Sequence, residues 1–213
     1  MNREEVSRDI YDAFQKIKEK DYAAAETLLQ DGLKKAEGGP DKTQAALFHS
    51  AMGVLFKLKG DYKAAWRYYE KAEKLMPEDP ALKIIMAKLL IDQFAQYDTA
   101  VKKLKEVLKV AKGSGSFEHQ AHATMAIAYL KKGDKKKAAE MMNKAMEEDF
   151  ERITSAENLN FEVIETFLSR NFEVGRCQRY VEKALAMARK RREEKPVQFL
   201  TKLLESFEVT VIQ

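Results

Sequence analysis

Along most of the chain, apolar residues recur at intervals of three and four, the spacing that lines one face of an α-helix. Between residues 49 and 77 they are Met52 and Phe56, then Ala65, Tyr69 and Ala72, interrupted by Gly60-Asp61. Glycine allows the left-handed backbone that ends a helix, and the following aspartate can cap the next one. Pro77 closes the second helix, and Pro80 suits the start of another. This pattern predicts two antiparallel helices joined by a tight corner. The same order returns at 122–150, with Met125 and Tyr129, Gly133-Asp134, then Ala138, Met142 and Ala145. In both copies small residues (Gly53, Ala65 and Ala72; Ala126, Ala138 and Ala145) leave room for close helix approach. The larger Met52, Phe56, Tyr69, Met125, Tyr129 and Met142 then fill the gaps between hairpins.

The spacing His49-x2-Met52-Gly53-x2-Phe56, then Ala65-x3-Tyr69-x2-Ala72 and Pro77, resembles the tetratricopeptide repeat, with His49 in its tryptophan slot. Another copy places His122, Met125, Ala126 and Tyr129 in the same slots, and Phe150 replaces the closing proline. Ile84, Ala87, Lys88, Ile91, Ala100, Leu104 and Val107 form a copy between them. Ile10, Ala13, Phe14 and Ile17, with Tyr22, Ala25, Leu29 and Gly32, form the first, whose corner reads as one residue shorter. Past residue 154 the pattern is degenerate, and Phe161, Ile164, Leu168, Val181 and Ala184 fit it only with an insertion.

The resemblance implies an all-α, right-handed superhelical array of antiparallel helix pairs with a C-terminal capping helix. Hairpins are expected at about 3–37, 41–76, 80–112, 116–149 and 154–195, forming one domain over 1–195. An amphipathic helix and tail at 196–213 follow. In that last segment Val197, Leu200, Leu203, Leu204 and Phe207 share a face, and "VTVIQ" is expected to fray. The helix must cover the end of the stack, bind within the chain's own groove, or bind a partner.

Composition agrees with a folded, helical chain. Of 213 residues, 45% are hydrophobic and 34% charged, with only 4 prolines. The net charge of +4 is too small for a dedicated nucleic-acid surface. The clusters "KKGDKKK" at 131–137 and "ARKRR" at 188–192 read as solvated corners and helix ends, which makes nucleic acid a lesser alternative partner. The one cysteine and the charged, non-apolar N-terminal stretch fit a cytoplasmic protein. No stretch is apolar enough for membrane insertion.

Catalytic signatures are missing: there is no Gly-rich phosphate loop, and Cys177 has no evident base. His119 and His122 stand at helical spacing for a metal, but His122 shares its repeat slot with His49, which favours packing. Neither a metal nor a cofactor is expected, and the chain reads as non-enzymatic.

Members of the resembled family receive peptides on the first helix of each hairpin. Carried over, that surface comprises Leu47, Ser50, Val54, Lys57 and Leu58, then Leu82, Ile85, Leu89, Asp92 and Gln93. From the fourth hairpin come Gln120, Ala123, Ile127, Leu130 and Lys131. The lysine, asparagine and arginine that grip a C-terminal carboxylate in the chaperone-binding branch are absent from the matching positions. The expected function is a protein-interaction scaffold or adaptor whose groove takes an amphipathic helix or extended apolar peptide. The alternative is a cytoplasmic chaperone for a secreted or membrane protein.

Overall fold

The computed structural model describes residues 2–148 and 150–210, with the side chains of 147, 148, 151 and 208–210 excepted. The chain is all-α and divides into two compact units, 1–94 and 95–213.

The first unit holds α1 (Arg3–Lys18), α2 (Tyr22–Glu37), α3 (Lys42–Leu58), α4 (Tyr62–Leu75) and α5 (Pro80–Asp92). Local chemistry sets their starts. Asp21, Asp61 and Asp79 each accept a backbone N–H three residues on, at 3.0, 2.9 and 3.0 Å. Gly60 ends α3 in the left-handed region at φ 80°, as the sequence predicts. Buried Ala25, Leu29, Phe48, Met52 and Leu55 form a core with Val6, Ala13 and Ile17. A second cluster joins Ala65, Tyr69 and Ala72 of α4 to Leu82, Met86 and Leu89 of α5.

The first corner is not shortened. Lys20 N–H bonds Ile17 O and Asp21 N–H bonds Lys16 O, matching Gly60 to Lys57 and Asp61 to Phe56. Lys20, at φ 63°, takes the backbone conformation that Gly60 takes in the second corner. The register of α1 therefore moves by one residue, and Ala13 rather than Phe14 is the counterpart of Gly53. Arg8, Tyr11 and Gln15 then match Phe48, Ala51 and Leu55, which are buried in α3. In α1 these equivalent positions are polar or, like Tyr11, exposed.

The second unit holds α6 (Tyr97–Val110), α7 (Gly115–Lys132), α8 (Lys135–Asn143), α9 (Glu162–Leu168), α10 (Val174–Arg191) and α11 (Glu194–Thr210). Gly133, at φ 95°, and the Asp134 cap repeat the corner of the first unit. Without a closing proline, α8 runs into a wider π-helical turn at Lys144–Glu148 instead of continuing to 149 as expected. Two 3-10 turns, Phe150–Arg152 and Ala156–Asn158, make up the insertion before α9, which is only seven residues long. Helix α11 packs along α10, with Leu200 and Phe207 buried, and so caps this unit. It begins two residues before Pro196, in a first turn where a missing N–H costs nothing. Within the "VTVIQ" tail, Val209 and Thr210 are helical, and the remaining three residues lie outside the described ones.

A methyl group at Gly53 would overlap the ring of Tyr69. Overpacking of this kind costs about 1–3 kcal/mol, against a helix-propensity gain of about 1. Gly53→Ala should therefore lower the denaturant midpoint read by Trp66 fluorescence, while Gly38→Ala, where an added methyl meets its neighbours only at ordinary contact distance, should not. His49 is buried with its Nδ1 unpaired, and burial lowers its pKa below the usual 6.5. Below that pH the unfolded chain takes up a proton that the folded chain resists, so stability falls as pH drops from about 6.5 toward the folded value. Urea midpoints at pH 7.5 and 5.5 should differ less in His49→Phe than in wild type. Equal differences would refute the assignment.

Candidate partner-binding surface

In the first unit, the stripe on α3 is the most open part of the expected surface. Leu47 is 41% and Leu58 51% exposed, Lys57 is exposed, and Ser50 and Val54 are half-buried. These residues recur at helical spacing, so they form one stripe. Val54 and half-buried Ile85 both lean on the α4–α5 cluster, which fixes the floor. The corrected register of α1 adds Ile10 and Phe14 at the slots of Ser50 and Val54. Both are half-buried against the core. The shorter-corner reading hid them, and the only signal was the equal length of the two Asp-capped corners.

Helix α5 contributes less than expected. Leu82 (3% exposed) and Leu89 (1%) belong to the cluster with Tyr69 and Met86, so neither is surface. Asp92 and Gln93 are exposed at its end.

In the second unit, the expected face of α7 is spent internally. Ala123, Ile127 and Leu130 are buried, and Gln120 and Lys131 are half-buried. The insertion supplies the cover. Gln120 Nε2 donates to Asn158 O at 2.8 Å, and Asn160 Nδ2 donates to Gln120 Oε1 at 3.1 Å and Thr124 Oγ1 at 3.4 Å. Helix α9 packs on α7 beyond them, and Arg170 reaches Leu130 O at 3.5 Å.

His119 anchors this cover from beneath. Its Nε2 accepts the backbone N–H of Asn160 at 3.1 Å, so the ring proton sits on Nδ1 and is donated to Ala145 O at 3.0 Å. The Tyr180 hydroxyl lies 2.9 Å from Nε2 and 3.3 Å from Asn160 O, and burial holds its pKa well above the usual value. Phe150 packs edge-on against both rings. His119 is thus engaged in the fold, and no group of three metal-ligating side chains occurs among the described residues.

The lysine corner is largely engaged as well. Lys132 pairs with Asp98 at 2.5 Å and Lys137 with Asp134 at 3.0 Å, while Lys135 lies over Phe172. Cys177 is buried, and its thiol is pushed up to about 11, far from a reactive thiolate at neutral pH. No described helix is long and apolar enough to cross a membrane.

An unsatisfied buried group costs about 1–3 kcal/mol, so Asn160→Ala should lower thermal stability. It should also raise hydrogen exchange along α7 and not along α3.

No family model matches the sequence, and no curated protein matches it. Solved structures do match the fold. PilF of Pseudomonas aeruginosa is 15% identical, with 95% of this chain and 91% of that one covered and a TM-score of 0.60. PilW, described as a type IV pilus biogenesis factor, is 13% identical over all of both chains, with a TM-score of 0.61. The nearly identical TPR-like repeats of a Podosopora anserina protein are 11% identical, with 97% and 96% covered and a TM-score of 0.61. The fold of this chain is that of the tetratricopeptide-repeat arrays.

Proposed function

We propose that this protein is a non-enzymatic scaffold that binds an amphipathic helix or extended apolar segment of a partner protein. The site is the stripe of Leu47, Ser50, Val54, Lys57 and Leu58, flanked by Ile10, Phe14 and Ile85. The observation that carries this reading is the exposure of Leu47 and Leu58 on one face of a helix whose other faces are packed. Half-buried Val54, two turns after Leu47 and one turn before Leu58, joins them into one apolar stripe, and continuous apolar surface of this kind marks interaction sites. A helix-in-groove mode would use Leu47, Val54 and Leu58 as its contacts.

A second reading, an escort for a secreted or surface-assembled protein, is favoured by the likeness to a pilus biogenesis factor. Co-expression separates the two, because an escort keeps one specific client soluble and an adaptor does not.

Photo-crosslinkers placed at Leu47 or Leu58 should capture the same partner from native lysate, and one at exposed Glu70 of α4 should not. With that partner purified, Leu58→Asp should weaken binding at least tenfold without changing the melt, as expected for a central anchor. Equal capture from Glu70 would remove the face from consideration.

A further inference from the structure

We propose that the second unit carries a separate docking groove along α10 that takes an acidic amphipathic helix of a partner protein. The groove, of about 780 Å³, is floored by Met146 and Phe150 on one side and by Ala186 and Met187 of α10 on the other. Lys183, Lys190 and Arg191 rim it. It lies on helices other than α3 and does not rest on the function proposed above.

Two features together make this groove more than a charged surface. Its three cations make no ion pair or hydrogen bond among the described residues. Elsewhere in the unit Lys144 pairs with Glu140 at 3.5 Å, Arg152 with Glu118 at 2.5 Å and Lys137 with Asp134, while Arg189 and Arg192 at the same end of α10 have, like the rim, no ion pair among the described residues. In addition, the floor is apolar and adaptable, since methionine follows irregular partners readily. Met146 lies in the π-helical turn, a backbone form that recurs at functional sites.

The spacing selects the occupant. Lys183 and Lys190 are seven residues apart, about 10 Å along the helix axis at 1.5 Å per residue. Ala186 and Met187 lie between them. A single-headed anion, such as a fatty acid, can satisfy only one end of this array. A helix with carboxylates seven residues apart and apolar side chains three and four positions after the first meets both ends and the floor. Such a partner gains steering from the cations and affinity from the methionines.

The test uses the full chain and a fluorescein-labelled helical peptide of about 15 residues, with two glutamates seven apart and leucines between them. Fluorescence anisotropy should show saturable binding that weakens at least tenfold in the Lys183→Glu/Lys190→Glu/Arg191→Glu variant. Raising salt from about 50 to 300 mM should weaken it as well. All three residues are exposed, and glutamates at 190 and 191 oppose the helix dipole in the last turn of α10, so the variant should stay folded and melt only slightly below the wild type. A peptide carrying lysines in place of glutamates should prefer the variant over the wild type. Equal affinity for wild type and variant would overturn the proposal, and so would displacement of the peptide by laurate at comparable concentration. Were an acidic segment of the chain itself the occupant, wild type would ignore the peptide. That outcome would also overturn it.

Discussion

An aromatic ring lying on bare backbone is the contact on which the first unit depends. Tyr69 of α4 occupies the space that a side chain at Gly53 of α3 would fill, and Phe48 does the same over Gly32 of α2. These two contacts fix how closely α3 approaches the helix before it and the helix after it. Core packing tolerates little change of volume, so the approach admits little adjustment. Once α3 is held on these sides, Leu47 and Leu58 are left exposed, with half-buried Val54 between them. The open stripe is a consequence of the close packing behind it.

The two units use the same corner and reach different surfaces. In the first, the stripe on α3 stays accessible. In the second, the chain departs from the repeat after α8, and the departure folds back over α7. The polar residues of the insertion make this possible: Asn158 and Asn160 satisfy Gln120 and Thr124, and His119 satisfies the Asn160 backbone. Buried polar groups are costly unless partnered, and this network leaves these groups partnered. The same departure puts Phe150 against Tyr180 and leaves Met146 beside α10. Loss of regular repeat geometry and gain of a second groove are one structural event.

Corners, caps and close-contact positions were legible in the sequence because each is decided by two or three neighbouring residues. Gly60 and Gly133 reach the left-handed region, Asp61 and Asp134 cap, and Gly53 receives its ring. The first corner was misread for the same reason. Lys20 adopts a conformation that its side chain does not advertise, and the register of α1 shifted with it. The irregular fifth hairpin was legible only as a weakened pattern, since an insertion carries no period.

What the sequence by itself determined is where the Asp-capped helices after Gly60 and Gly133 begin, where the chain turns into them and which side chains must be small. It did not determine which apolar residues remain at the surface. In α5 and α7 apolar residues occupy nearly every side of the helix, so spacing cannot choose a face. Leu82, Leu89, Ala123, Ile127 and Leu130 looked as available as Leu47 and Leu58 and proved buried. Only the tertiary structure decided this, because exposure depends on what distant segments cover, and the residues covering α7 lie some forty positions further along the chain.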